Sequence, residues 1–286
     1  MFWEASYGYI ILAGTILIFS VWLRGIRWSY LLIHEKKISV YSLYKTEMIG
    51  YFGNNILPFR LGELLRSYIV NREEKISGSM VFGTIVMERL LDTLGLMFFA
   101  VLLVLIYPLP EEIRFFIQIG LFILVVLGIV FLLVLYRMRN IKSNQFIIRH
   151  LQNFISGFSI LNGQLKWKAI LISLVLWMTY WMATHLIQMA LHLKMDLSES
   201  LLVLVISSLA LSIPAAPGQI GTFHAAVKYT LITIIGNGKY TPEIGINFAL
   251  ILHVYGYITY TILGAYYFFR SQFYSGAILS VMDNEN

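Results

Sequence analysis

The stretch GNNILPFRLGELLR, residues 53–66, breaks an apolar region, 41–70, that would otherwise be long enough to cross a bilayer. Gly53, Asn54 and Asn55 suit an irregular turn. Pro58 suits the first turn of a second helical limb, where its missing N–H would be unpaired anyway. Each limb, at about 11 to 17 residues, is too short to cross alone, so the region predicts a re-entrant helical hairpin. The second limb carries Arg60, Glu63 and Arg66, with 63 and 66 on one face and 60 one turn earlier. Its N-terminus would turn free N–H groups and a partial positive charge toward the membrane interior beside an arginine, which suits a phosphate or carboxylate. The other reading is a surface amphipathic helix whose arginines meet lipid headgroups.

Further along, 200–235 is broken in the same manner by PAAPGQIGTFHAAV, residues 214–227. Pro214 ends one limb and Pro217-Gly218 starts the next. Gly218 and Gly221 admit close approach of a backbone or a ligand. His224, one turn after Gly221, is either a packing residue or a proton carrier, and is the only histidine expected near this tip. Lys228, a further turn on, is expected to snorkel outward. The two tips, 55–60 and 217–221, are expected to meet near mid-bilayer and line a cavity for an anionic headgroup.

Around these regions lie five uninterrupted apolar segments, 7–23, 79–106, 113–136, 169–191 and 243–269, each of spanning length. The expected fold is an all-α polytopic membrane protein with about five full spans and two re-entrant hairpins. With the N-terminus outside, 14 Lys and Arg fall in the cytoplasmic loops and flanks, including Arg24 and Arg27 in loop 24–45, and three fall outside. That asymmetry obeys the positive-inside rule and puts the C-terminus in the cytoplasm. Two span–hairpin–span units of opposite orientation result: unit one over 1–106 and unit two over 166–270. Span 107–140 joins them and a tail follows at 271–286, all within one membrane domain, 1–286. Inverted repeats with broken helices in matching positions point to a secondary transporter. Segment 145–165 has apolar residues at helical spacing. It reads as an amphipathic helix on the cytoplasmic surface or as a connecting helix packed on the bundle.

Composition agrees with this layout. Hydrophobic residues make up 58% of the 286 and charged residues only 13%, about half the charged share of an ordinary soluble domain. The net charge of +6 is taken up by loop basicity and does not call for nucleic acid. With no cysteine there is neither a disulfide framework nor a thiolate metal site. The first span is read as uncleaved, because Glu4 precedes it and no small-residue cleavage site follows.

Span 79–106 carries Glu88, Arg89 and Asp92. Only about 14 apolar residues follow Asp92, so the charges must lie part way into the bilayer, where such groups are usually paired and functional. They serve either a ligand or an internal ion pair with the hairpin, Arg89 to Glu63 for instance. Arg60, Glu63, Arg66, Glu88, Arg89 and Asp92 are expected to form one buried polar cluster. No zinc-ligand pair, nucleophile elbow or phosphate-binding loop is present, so no catalytic residue, metal or cofactor is expected.

Three motifs carry a resemblance. An N-x-L-P-x-R-x-G-E-x-x-R stretch is met by Asn55, Leu57, Pro58, Arg60, Gly62, Glu63 and Arg66. An E-R-x-x-D stretch is met by Glu88, Arg89 and Asp92, and a P-x-x-P-G-x-x-G stretch by Pro214, Pro217, Gly218 and Gly221. Over nearly its whole length the chain resembles the flippase-like family named for the transmembrane region of lysylphosphatidylglycerol synthase, the UPF0104 group. The resemblance implies a lipid flippase-like domain in the cell membrane; the competing expectation is a non-transporting lipid-binding partner of a glycosyltransferase or lipid synthase, with no enzyme activity expected and oligomers possible in either case. The substrate-binding residues are expected among Asn54, Asn55, Arg60, Glu63, Arg66, Glu88, Arg89, Asp92, Pro217, Gly218, Gly221 and His224. The chain departs from the family twice. No counterpart of the synthase's aminoacyltransferase domain is read in these 286 residues, so synthesis of lysyl-lipid is not expected, and His224 stands where the family often has an acidic residue.

Overall fold

A computed structural model describes residues 5–139, 146–212, 221–236 and 238–271. Every element among them is helical. The order is α1 (Tyr7–Leu32), α2 (Val40–Ile56), a 3-10 turn (Pro58–Arg60), α3 (Gly62–Glu74), α4 (Gly78–Ile106), α5 (Glu111–Arg139) and α6 (Phe146–Ser156). A second 3-10 turn (Ser159–Asn162) leads to α7 (Leu165–Ala190), α8 (Leu197–Ser212), α9 (Thr222–Tyr229) with a π-helical continuation (Thr230–Ile235), and α10 (Pro242–Phe269). The five expected spans lie on α1, α4, α5, α7 and α10, the five helices long and apolar enough to cross a membrane.

At the centre α1 runs antiparallel to α7: the Ser6 N–H meets the Ala190 carbonyl at one end and Arg27 meets Ser173 at the other. Around this pair α1 packs on α2 and α7 on α8. Next, α2 packs on α3 and α8 on α9, then α3 on α4 and α9 on α10. The ring closes through α4 on α7, α10 on α1, α2 on α10 and α4 on α8. The first span is longer than its sequence suggested. Arg24 and Arg27 end the apolar run at 23, but Trp28, Leu31 and Leu32 behind them are fully buried, and the helix continues to Leu32. The two arginines are therefore interior residues and not part of a cytoplasmic loop.

The break at 53–66 is a tight antiparallel helical pair. Gly53 packs against Gly62, and a Cβ on Gly62 would run into the Gly50 carbonyl oxygen and come within 2.6 Å of the Asn54 nitrogen. Phe59, in the turn, adopts φ 54 and is 95% exposed. In the second broken region α8 packs on α9, while the tip, 213–220, lies outside the described residues. Asp196 starts α8 with a reciprocal cap: its Oδ1 accepts from the Glu199 N–H at 2.7 Å, and Glu199 Oε2 accepts from the Asp196 N–H at 2.8 Å. Burial opposes the Asp196 charge, but hydrogen bonds from Glu199 and Ser198 hold its carboxyl below the usual range.

Segment 145–165 is not one helix. The helix stops at Ser156 because Gly157 lies against α4, where a Cβ would come within 2.6 Å of the Thr84 nitrogen. Phe154 packs on Phe82, and Phe158 on Phe131, so α6 is a connecting helix seated on the bundle. Its far side leaves Phe146 and Ile147 exposed.

Candidate functional site

The charges on α1, α2, α3 and α4 converge. Arg24 donates from Nε to the Tyr180 hydroxyl at 2.9 Å and from Nη1 to Asp92 Oδ2 at 3.0 Å. Three residues on, and so on the same face, Arg27 donates from Nη1 to Asp92 Oδ1 at 2.7 Å and to Ser173 Oγ at 2.8 Å. Its Nη2 stands 3.5 Å from Glu88 Oε1. From α3, Arg66 Nη2 donates to Glu47 Oε1 on α2 at 2.5 Å and to Glu88 Oε2 on α4 at 2.6 Å. The Arg66 guanidinium lies 4.1 Å over the Trp28 ring, and Trp28 is fixed by its N–H to Thr84 Oγ1 at 2.9 Å. Arg89 completes the network, 3.2 Å from Glu63 Oε1 through Nε and 3.4 Å from Asp92 Oδ2 through Nη1.

Burying an unpaired ion costs several kcal/mol, so such a cluster persists only if its members answer one another. Here they do: four arginines meet four carboxylates among the described residues. The network also has an open edge. The side chains of Arg24, Arg27 and Arg66 are almost wholly buried, whereas that of Arg89 is 37% exposed. Arg89 is the twelfth residue of α4, roughly 16 Å from the start of a helix of roughly 43 Å at 1.5 Å per residue. The partly exposed Arg89 side chain is thus well along the span.

Five of the six residues expected to cluster do so: Glu63, Arg66, Glu88, Arg89 and Asp92. The backbone of Arg60 lies in the turn before α3, and its side chain is outside the described set. Sequence reasoning missed Arg24, Arg27 and Glu47. Their signals were the i, i+3 spacing of the two arginines ahead of the apolar run Trp28–Ile33, and a lone acid within 41–53.

The family model described as the lysylphosphatidylglycerol synthase TM region matches residues 1–264. The chain belongs to that family. With five helices long and apolar enough to span, this member of the synthase TM-region family is a multi-pass membrane protein. It is similar to two UPF0104 membrane proteins of Methanocaldococcus jannaschii. One is 28% identical over 186 residues, 63% of this chain and 79% of the relative. The other is 32% identical over 103 residues, 34% of this chain and 30% of the relative. No solved structure matches.

Described residues beside both breaks, Asn55 and His224, contact α10. Asn55 Nδ2 donates to Thr261 Oγ1 at 2.9 Å and to the Tyr257 carbonyl at 3.4 Å, and the Tyr257 hydroxyl returns a bond to the Asn55 carbonyl at 3.4 Å. Asn55 therefore docks the end of α2. Asn54 Oδ1 is buried with no hydrogen-bond partner among the described residues. Gly221 takes φ 104, a conformation suited to glycine, and its N–H donates to His224 Nδ1 at 3.3 Å. Pro217 and Gly218 lie outside the described residues. His224 is not the only histidine here: the His253 ring, on α10, is 4.9 Å away in edge contact. The expectation missed His253 because it sits mid-span, 29 residues further along the chain.

Proposed function

We propose that this chain moves an anionic or phosphate-linked lipid between the leaflets of the cell membrane. The observation that carries the reading is Arg89, whose side chain is partly exposed well along α4, at the edge of an otherwise largely buried ion network. A phosphate at that depth has little water to solvate it and needs fixed positive partners. Arg89 supplies a whole charge, and the neighbouring N-terminus of α3 a partial one, while acyl chains stay in lipid.

The inverted-repeat architecture belongs to the same proposal. Exchanging α1, α2, α3 and α4 for α7, α8, α9 and α10 preserves every packing pair among those eight helices named above, and the counterparts α1 and α7 are antiparallel. The two helical pairs, 41–70 and 200–235, are the re-entrant hairpins, with the N-terminus outside and the C-terminus cytoplasmic. Both ends rest on one face of α10, at His253, Tyr257 and Thr261 in steps of four, so either can move only with respect to that stripe.

A second reading is a lipid-binding partner of a glycosyltransferase or lipid synthase that moves nothing. The charge balance of the described network favours it. The test is translocation of a fluorescent phosphatidylglycerol in proteoliposomes. Acceleration over protein-free vesicles, greater for phosphatidylglycerol than for the net-neutral phosphatidylcholine, is the expected result. No acceleration of either lipid overturns translocation in favour of the binding partner.

A further inference from the structure

Glu47 occupies the place in the network where two carboxylates meet one guanidinium nitrogen. Arg66 Nη2 is bonded at once to Glu47 Oε1 at 2.5 Å and to Glu88 Oε2 at 2.6 Å, and all three side chains are buried. Glu88 has a second cation, Arg27. Asp92 has three, Arg24, Arg27 and Arg89. Glu63 pairs with Arg89 at the open edge. Among the described residues Glu47 has Arg66 alone within ion-pair distance, and shares it. Like charges drawn to one partner in a low-dielectric interior favour uptake of a proton by one of them. Of the two carboxylates that share Arg66, Glu47 has no second cation among the described residues and is the one that takes it.

We infer that Glu47 is a proton-binding site, and that its proton and an anionic headgroup at Arg89 bind together. Among the described residues, the balance is set by the charged or titratable groups facing this region. These are Arg24 and Arg27 from α1, Arg66 and Glu63 from α3, and Glu88, Arg89 and Asp92 from α4. Tyr180 comes from α7, and Tyr260 from α10 stacks on Tyr51 one turn after Glu47 at 4.3 Å. With all four carboxylates ionised, the described network carries no net charge. A proton moving from water onto Glu47 leaves it one positive charge in excess, and an anion at Arg89 restores neutrality. With Glu47 ionised, the same anion is an uncompensated negative charge in a medium that screens poorly. One proton therefore accompanies each anion. By linkage, anion affinity falls about tenfold for each pH unit above the point where Glu47 ionises. Arg66 stays in place throughout because Glu88 still holds it.

The coupling rests on the anionic-lipid reading, whereas the proton site does not, and the test separates them. The protein in nanodiscs is titrated from about pH 9 to about pH 5, spanning the range in which a strongly perturbed buried carboxyl titrates, while the neutral-carboxyl C=O stretch is followed by difference infrared spectroscopy. Wild type is expected to gain such a band. Glu47→Gln, whose amide oxygen still accepts from Arg66, is expected to lack it, and Glu47→Asp to keep it. A wild type without the band, or a Glu47→Gln variant that retains it, overturns the proton site whatever the transport result. In proteoliposomes, the rate for fluorescent phosphatidylglycerol should rise as pH falls in wild type and in Glu47→Asp, and be independent of pH in Glu47→Gln. A wild type that shows the infrared band and transports at the same rate at every pH overturns the coupling alone. A wild type that shows the band and moves no lipid overturns the coupling together with the transport reading on which it rests.

Discussion

Replacing Arg66 by Met removes the keystone of the ion network while keeping an unbranched side chain over Trp28. The Arg66 guanidinium makes two charge-assisted hydrogen bonds, at 2.5 and 2.6 Å, in a site closed to solvent. Its loss leaves Glu47 with no cation among the described residues and Glu88 with Arg27 alone. Breaking a buried pair in this way costs about 3–5 kcal/mol, mostly for the charge left behind. Glu47→Gln removes that charge, so adding it to Arg66→Met should recover about 1–3 kcal/mol, the coupling expected of residues in direct contact. Reversible unfolding in mixed micelles at a pH where Glu47 is ionised measures all four corners of the cycle. If Arg66→Met stays within about 1 kcal/mol of wild type, or the double variant is no more stable than the single, the network is not holding α2, α3 and α4 together as its geometry requires.

Other outcomes follow from the same coordinates. Gly62→Ala forces a methyl into the Gly50 carbonyl and should destabilise the α2–α3 pair by about 1–3 kcal/mol, read as a lower unfolding midpoint. Asp196→Ala removes the α8 cap and should cost about 1 kcal/mol at neutral pH. Because the folded carboxyl titrates below its unfolded value, that contribution is complete above about pH 4 and lost as pH falls through the folded pKa. A melting series from neutral to acid pH should show wild type and variant converging. Single cysteines at Ser77 and Gly238 should react with an impermeant reagent from the cytoplasm and from outside, respectively. Reaction of both from one side would overturn the inverted repeat.

The sequence reveals elements more readily than partners. The five long helices are read from apolar length, since a membrane demands about 20 apolar residues in a row. The breaks at 53–66 and 214–227 are read from Pro and Gly. The clustering of Glu63, Arg66, Glu88, Arg89 and Asp92 follows from the need to answer charge within an apolar medium, and the Arg89–Glu63 pair forms as expected. The end of α1 was hidden because a charge after an apolar run reads as an interface. Arg24 and Arg27 are tolerated inside only because Asp92 and Glu88, more than 60 residues away in sequence, neutralise them, which is a tertiary fact. Glu47 was hidden for the same reason: its partner sits on the next helix. The stop of α6 at Ser156 depends on the fit of Gly157 against α4, which periodicity does not record.

Arg89 is where the proposed transport meets the architecture, and its charge can be removed with little change in shape. The decisive quantity is the initial rate at which Arg89→Gln translocates fluorescent phosphatidylglycerol in proteoliposomes, relative to wild type at equal reconstituted protein. Losing one charge-assisted contact to the moving headgroup, worth about 1.5–3 kcal/mol, should lower that rate by roughly tenfold or more while the protein still inserts and unfolds cooperatively. A rate equal to wild type would contradict a headgroup site at Arg89.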